Sequence, residues 1–158
     1  MQLRIPGPTP CPPSVLKAMS KQMINHRGKE FGELLNYMTG KLKEVFQTKN
    51  DVFLLTSSGT GGMEAAVVNT LSPGDKVLAL CNGFFGERFA ETAEEFGAEV
   101  TRLNFDWGQP VDPERVRQAL KSEAKIKAVL VIHNETSTGV TNELETITRI
   151  VKEFNKLL

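Results

Sequence analysis

Hydrophobic positions follow two different patterns along the chain. Before residue 51, apolar residues recur every three or four positions, which is typical of helices that pack on one side. Pro13 suits the first turn of a short helix that we expect to reach Met23. A longer helix is predicted after it, with apolar positions at Phe31, Leu34, Leu35, Met38, Leu42, Val45 and Phe46.

From Asp51 onward, short apolar runs of β type alternate with helical stretches. The β-type runs are VFLLT (52–56), VLAL (77–80), AEVTRL (98–103) and AVLVIH (128–133). The helical stretches between them cover 63–71, 87–96 and 113–121. Strands that alternate with helices of this length form βαβ units. We therefore predict an α/β fold with three αβα layers, in which helices cover both faces of a largely parallel sheet.

Composition narrows the class of protein. The 158 residues are 40% hydrophobic, enough for one globular unit with a real core. Nineteen basic residues balance nineteen acidic ones and form no basic stripe, which argues against nucleic acid as a partner. Cys11 and Cys81 lack the spacing of a disulfide framework or a zinc site. We find no apolar stretch of membrane-spanning length and no secretory signal pattern, so we expect a cytoplasmic protein without a membrane partner.

Three loops rich in small or polar residues each follow a predicted strand. They are TSSGTGG (56–62), CNGFFGER (81–88) and HNETSTGV (133–140). Open parallel sheets bind ligands at the carboxyl ends of their strands. We therefore expect the three loops to meet at one edge of the sheet, around one small molecule.

The first loop contains more glycine than a turn requires. Gly59, Gly61 and Gly62 leave the backbone bare, and a helix starting near Gly62 would add unpaired N–H groups and a positive dipole end. This predicts an anion site suited to phosphate; the alternative is a flexible turn that uses glycine for positive φ. The loop lacks the ending of a P-loop, and Glu64 replaces the third glycine of a GxGxxG motif. A phosphate from a ligand other than ATP or NAD fits better.

The other two loops offer an aromatic face and a group of polar side chains. Phe84 and Phe85 can lie against a planar heterocycle, although adjacent phenylalanines more often belong to a core. Six consecutive polar side chains, from His133 to Thr138, lie at the end of the last predicted strand. His133 is equally suited to capping that strand.

Four segments occur in an unbroken order from about Leu3 to the end: PGPTPCPPSVLKAM, FLLTSSGTGGMEAAVVNTLSPGDKVL, NGFFGERF and HNETSTGV. They resemble the N-terminal half of class V aminotransferases, in the alanine–glyoxylate and serine–pyruvate group, which use pyridoxal 5′-phosphate (PLP). The resemblance implies part of the large domain of the PLP-dependent transferase fold, fold type I. It implies an N-terminal arm with a short helix over 1–22 and the N-terminal part of the PLP-binding large domain over 23–158.

The same resemblance assigns cofactor contacts to residues in the three loops. Phe85 stands where many relatives have a tryptophan that stacks on the pyridine ring, so it keeps an aromatic face but a smaller one. Thr136 stands where relatives place a hydroxyl group beside the ring, and His133 precedes it in the same loop. The proline-rich arm resembles a segment that shapes the active-site entrance of a homodimer. The implied cofactor-binding residues are Ser58, Gly59, Thr60, Phe85, Thr136 and His133.

The family's catalytic residues have no counterpart in these 158 residues. In relatives, the Schiff-base lysine and the aspartate facing the pyridine nitrogen lie beyond the HNETSTGV loop. Lys17 and Lys125 match a bare S-x-x-K pattern but fall in predicted surface helices away from the three loops. We therefore expect a fragment without turnover that stops inside an amphipathic helix, whose apolar stripe is Ile147, Ile150, Val151, Phe154 and Leu158.

The function implied for the parent protein is PLP-dependent transfer of an amino group from alanine or serine to glyoxylate or pyruvate. The expected partners are these small amino acids and 2-oxo acids, and a second copy of the chain in a homodimer. Two alternatives stay open. One is a PLP-dependent lyase or desulfurase on the same fold, and the other is a phosphate- or nucleotide-binding domain without catalysis.

Overall fold

The computed structural model describes residues 3–158, which form two compact units divided between Thr56 and Ser57. The division into 1–22 and 23–158 does not coincide with this boundary and stays a prediction. The first two residues of the predicted arm lie outside the described residues. Within residues 3–158, no helix has both the length and the apolar character needed to cross a bilayer.

Two helices form the first unit. Helix α1 spans Pro13–Met19 and begins with proline at its first position. An N–H group there would have no intrahelical acceptor, so its absence in proline costs no hydrogen bond. The helix ends before the predicted limit at Met23, because the Ser20 hydroxyl donates to the carbonyl of Lys17 and closes the last turn. Helix α2 spans Lys29–Val45 and confirms the predicted longer helix.

The predicted strand VFLLT (52–56) is not a strand. No β-ladder includes these residues, and the side chain of Phe53 is 81% exposed. A β-type sequence becomes a strand only where a neighbouring backbone supplies hydrogen-bond partners. The residue types in this run were therefore insufficient to form the element.

A three-stranded parallel sheet forms the centre of the second unit. Strand β1 (Lys76–Cys81) lies between β2 (Glu99–Asn104) and β3 (Ile126–Leu130). Leu78 of β1 pairs with Thr101 of β2 on one side and with Val129 of β3 on the other. From its second residue onward β1 is completely buried, as expected for a parallel strand covered on both faces.

Four helices cover the two faces of this sheet. Val77 and Ala79 of β1 pack in one core cluster with residues of the third and fourth helices. Leu78 and Leu80 point to the opposite face and pack with residues of the fifth and sixth helices. The predicted three-layer αβα arrangement is therefore confirmed. The helices are α3 (Gly59–Thr70), α4 (Phe84–Glu95), α5 (Pro113–Ser122) and α6 (Leu144–Glu153).

A short antiparallel hairpin connects β3 to α6. It consists of β4 (Asn134–Glu135) and β5 (Val140–Thr141), with Gly139 at a φ of 73° in the turn. The third polar loop is thus a folded hairpin. The predicted strand 128–133 begins and ends earlier than expected, since its last three residues lead into this hairpin.

Helix α6 ends at Glu153, so the prediction that the chain stops inside this helix is wrong. Asn155 adopts a φ of 54°, and the chain then reverses direction. The N–H of Leu157 donates to the carbonyl of Lys127 at 3.1 Å, and its carbonyl accepts from the N–H of Val129 at 2.9 Å. These bonds form a parallel bridge along the outer edge of β3.

Candidate functional site

A cavity of about 350 Å³ lies at the carboxyl edge of the sheet, and we call it the edge cavity. All three small and polar loops contribute to its wall, so the expectation that they meet around one space is confirmed. Ligand cavities in proteins begin at about 300 Å³, so its size suits a small molecule. The lining residues are Gly59, Thr60, Met63, Phe85, Ile132, Asn134 and Thr136.

The first wall of the edge cavity is the N-terminus of α3. This helix begins at Gly59, before the predicted start at Met63, so the glycines form its first turn. Ser58 is the N-cap residue: its hydroxyl oxygen accepts from the N–H of Gly61 at 3.4 Å. Within Ser57–Leu158, the N–H groups of Gly59 and Thr60 find no acceptor. Two free donors at the positive end of a helix dipole thus border the cavity.

The three glycines of this turn have different roles. A Cβ atom at Gly61 would lie 1.9 Å from the hydroxyl oxygen of Ser57, so a larger residue there would displace the Ser57 side chain. A Cβ atom at Gly59 would meet nothing within 4 Å, and this residue faces the open space of the cavity. Nothing in the structure explains the glycine at Gly62, beside which there is also open space.

The second wall is the first turn of α4. Phe85 lines the edge cavity, whereas Phe84 is 45% exposed. The two rings meet edge to face, with centroids 5.5 Å apart and an interplanar angle of 81°. Of the two phenylalanines, Phe85 therefore offers its ring to a ligand in the cavity.

A buried carboxylate that sequence analysis missed holds the second wall to the third. Glu135 is completely buried, and its Oε2 accepts from the N–H groups of Phe85 at 3.0 Å and Gly86 at 2.9 Å. Its Oε1 accepts from the hydroxyl of Ser137 at 2.6 Å. A carboxylate is favourable at the N-terminus of a helix, because it meets unpaired N–H groups and the positive dipole end. Glu135 thereby fixes Thr136, its neighbour in the chain, relative to Phe85.

Gly83 makes this contact possible. A Cβ atom there would lie 2.4 Å from Cγ of Glu135 and 2.7 Å from the hydroxyl oxygen of Ser137. Only glycine leaves room for the carboxylate beside the start of α4. The sequence signal for Glu135 was an acidic residue within a run of polar residues. This signal does not reveal its role, because its partners at the start of α4 lie about 50 residues away in sequence.

Arg88 is a second residue that sequence analysis missed. Its Nη1 donates to the hydroxyl oxygen of Thr60 at 3.2 Å. Its guanidinium carbon lies 4.7 Å from the ring centroid of Phe84 and 6.0 Å from that of Phe85. A positive charge therefore contacts two of the residues that line the edge cavity.

The structure does not bring His133 to the edge cavity. His133 is exposed, and it borders two other depressions, of about 1080 and 420 Å³, that lie along α6 and β3. Its carbonyl accepts from the N–H of Asn142 at 2.8 Å. The sequence-predicted residues that do meet are Gly59, Thr60, Phe85 and Thr136, with Ser58 capping the adjoining helix.

Reactive side chains are scarce around the edge cavity. None of the lysines within residues 3–158 lines it. Burial raises the pKa of the Cys81 thiol, at the end of β1, to about 12, so this thiol stays protonated and is a poor nucleophile. In the described part of the chain, no group of three His, Cys, Asp or Glu side chains could hold a metal ion. The arrangement is suited to binding an anionic, aromatic ligand.

Comparison with known proteins identifies the family. The family model described as "Aminotransferase class-V" matches residues 2–158. The chain is 46% identical over 160 residues to the "Soluble hydrogenase 42 kDa subunit" of Anabaena cylindrica, covering 100% of this chain and 42% of that protein. It is 41% identical over 148 residues to the L-aspartate–glyoxylate aminotransferase of Paracoccus denitrificans, covering 92% of this chain and 37% of that protein.

A solved structure shows the same fold. The alanine–glyoxylate aminotransferase from Nostoc sp. superposes with a TM-score of 0.91 at 35% identity, over 98% of this chain and 41% of that one. The chain thus spans about two fifths of the length of these relatives. The expected fold, part of the PLP-dependent transferase fold of type I, is confirmed. The chain belongs to the class V aminotransferase family.

Proposed function

We propose that this chain binds the phosphate and the ring of PLP in the edge cavity, as part of an aminotransferase. One observation carries the proposal: free N–H donors, an aromatic ring and a hydroxyl group from three separate loops line the same small cavity. Membership of the class V aminotransferase family supports the choice of cofactor.

Each part of PLP has a suitable group in the edge cavity. The N–H groups of Gly59 and Thr60, with the hydroxyls of Ser58 and Thr60, would hold the phosphate at the positive end of α3. The ring would lie against Phe85, and its polar substituents would meet the hydroxyl of Thr136. His133 has no role in this arrangement, since it lies outside the cavity.

When bound, PLP supplies an electron sink for reactions at the α-carbon of an amino acid. The residues of this chain would bind and orient it. Helix α3 would hold the phosphate end, while hydrogen bonds from the start of α4 and from the hairpin to Glu135 keep these two walls together. We assign no proton transfer to this chain, because no lysine within residues 3–158 lines the edge cavity.

For the reaction, we propose transfer of an amino group from alanine or serine to a 2-oxo acid, glyoxylate or pyruvate. Glyoxylate occurs in the names of both the Paracoccus and the Nostoc aminotransferases, which supports the acceptor. Those names give aspartate and alanine as donors. The donor is therefore the part of the proposal that an amino-acid screen of the whole protein tests most directly.

Assembly and location are further parts of the proposal: a homodimer in the cytoplasm. Tyr37, Val45 and Phe46, on α2 or directly after it, are 66%, 74% and 66% exposed, and large exposed apolar side chains commonly mark a protein contact. Cys11 and Cys81 are both free, as in proteins of reducing compartments. Sedimentation at two protein concentrations tests the dimer, and a monomer at both would contradict it.

Titration of the chain with PLP, ATP and NAD in parallel tests the cofactor. We expect saturable binding of PLP with a rise in melting temperature, and little change with either nucleotide. Thr60→Val, which removes a hydroxyl from the cavity, should weaken PLP binding. The matched variant Thr101→Val, on the exposed side of β2, should not. Stabilisation by a nucleotide and indifference to PLP would instead favour a nucleotide-binding domain.

A further inference from the structure

Arg88 places a positive charge beside the edge cavity. Two other guanidinium groups of the second unit form ion pairs: Arg102 with Glu87 and Glu94, and Arg117 with Glu114 and Glu153. Arg88 forms no ion pair within residues 3–158. It contacts a hydroxyl group and two aromatic rings instead.

The surroundings of Arg88 are electrostatically positive. The N-terminus of α3 forms a wall of the edge cavity. Its first two N–H groups are free within Ser57–Leu158. Glu135 neutralises the start of α4, but its oxygens already accept from Phe85, Gly86 and Ser137. Within Ser57–Leu158, the start of α3 and the guanidinium of Arg88 have no negative partner. An anion bound in the edge cavity would be stabilised by both of these positive groups.

The contact with Arg88 also determines what the Thr60 hydroxyl can do. A hydroxyl group has one proton to donate and two lone pairs that accept. Nη1 of Arg88 donates to one lone pair at 3.2 Å. The proton has no acceptor within Ser57–Leu158, although Thr60 lines the cavity. It is therefore free to be donated to a ligand.

We propose that Arg88 is a positioning residue that makes the edge cavity selective for the phosphorylated form of its ligand. It orients the Thr60 hydroxyl so that its proton points toward the phosphate, and it adds a positive charge behind that hydroxyl. This inference rests on the proposed function, since it takes the ligand to be a phosphorylated pyridine such as PLP.

Paired ligands test this selectivity. Pyridoxine 5′-phosphate and pyridoxine differ only in the phosphate, and neither has an aldehyde that could react with surface lysines. Titration calorimetry of the whole chain should show that Arg88→Gln weakens binding of pyridoxine 5′-phosphate about tenfold to a hundredfold. Binding of pyridoxine should stay within about twofold, because it has no phosphate charge for Arg88 to complement. Arg88→Lys keeps the charge but not the planar fork, so it should be intermediate.

Arg115→Gln is the matched control. Its guanidinium also lies over an aromatic ring, 4.5 Å from the centroid of Phe105, and also donates a hydrogen bond, to the carbonyl of Asn104. Arg115 contacts none of the residues that line the edge cavity. Its replacement removes the same charge from the same kind of contact and should leave binding of both ligands unchanged.

A double variant tests whether Arg88 acts through Thr60. Thr60→Val and Arg88→Gln should each weaken binding of pyridoxine 5′-phosphate. If Arg88 orients the hydroxyl, the double variant is weakened by less than the product of the two single factors. Factors that multiply fully would show that the two residues act independently, and the positioning role would be wrong.

The outcomes separate this inference from the proposed function. Wild-type chain that binds neither PLP nor pyridoxine 5′-phosphate contradicts the proposed function, and the role of Arg88 fails with it. Wild-type chain that binds both, while Arg88→Gln and Arg88→Lys bind as tightly as wild type, contradicts the role of Arg88 alone. Equal losses for pyridoxine and its phosphate in variants that melt like wild type also contradict it.

Discussion

At the scale of single residues, Gly83 and Glu135 fit closely against each other in the site. The carboxylate occupies the volume that a Cβ atom at Gly83 would need. The φ of Gly83 is 172°, which is extended backbone that any residue adopts, so the requirement for glycine here is one of space and not of conformation.

We predict that Gly83→Ala lowers the free energy of unfolding by about 1–3 kcal/mol, because the new methyl group displaces the Glu135 side chain from its donors. Gly62→Ala is the matched control: it lies in α3 with open space around it and should be neutral or stabilise by up to about 1 kcal/mol. Urea denaturation of both variants measures this. Equal effects of the two substitutions would contradict the steric argument.

Local residue types predicted the three loops that line the candidate site. The choice of Gly59, Thr60, Phe85 and Thr136 within those loops came from the resemblance to class V aminotransferases, and the structure brings all four to one cavity. Arg88 was missed because its hydrogen-bond partner lies 28 residues away, and nothing local marks a charged residue in a helix as part of a site. The cofactor-binding role of Gly59, Thr60, Phe85 and Thr136 stays a prediction.

At the scale of elements, the hydrophobic period identified the three strands of the sheet and all four of its covering helices. It placed the start of α3 too late, because glycine is a poor helix former in isolation. Capping by Ser58, whose hydroxyl oxygen accepts from the N–H of Gly61, offsets that propensity. The run 52–56 failed for a different reason, since a strand depends on a partner that its own residues do not specify.

Two substitutions of the N-cap of α3 separate helix stability from anion binding. Asn and Asp both cap helices well, so Ser58→Asn and Ser58→Asp should each leave the free energy of unfolding within about 0.5 kcal/mol of wild type. Only Ser58→Asp places a negative charge beside the proposed phosphate position. We expect it to weaken PLP binding about tenfold or more relative to Ser58→Asn.

Denaturation curves and PLP titrations of the two variants measure these effects. Equal PLP affinity of Ser58→Asp and Ser58→Asn would show that the phosphate does not lie at the start of α3. In that case the N–H groups of Gly59 and Thr60 would not bind the phosphate.

At the scale of the whole molecule, the layered arrangement followed from alternation of strands and helices alone. The two faces of β1 have different cores: mostly small residues pack toward α4, such as Ala79, Ala90 and Ala93, whereas larger ones face α5 and α6, such as Leu78 and Ile147. Alternation predicts that both faces are covered, but not the size of the residues on each. That detail depends on how closely each helix approaches the sheet.

Alkaline pH should destabilise the whole fold through Cys81. Burial raises the pKa of this thiol from 9.0 to about 12, so it stays protonated in the folded chain when the unfolded chain already ionises. Stability is therefore lost as pH rises above about 9, by about 1–2 kcal/mol at pH 10 from this group.

Urea denaturation between pH 7 and pH 10 measures this effect. Cys81→Ala should reduce the fall in stability over that range, whatever its effect at pH 7. Cys11→Ala is the control, because Cys11 is exposed and its replacement should leave the pH dependence unchanged. A Cys81→Ala curve parallel to that of wild type would contradict the prediction.

The carboxylate of Glu135 has one more consequence. The aromatic wall and the hydroxyl wall of the edge cavity are held by the same side chain, so neither can shift without the other. Conformational freedom of these two segments is lost when the chain folds, before any ligand arrives. An incoming ring then meets a preorganised surface and does not have to immobilise it, which favours tight association with few direct contacts.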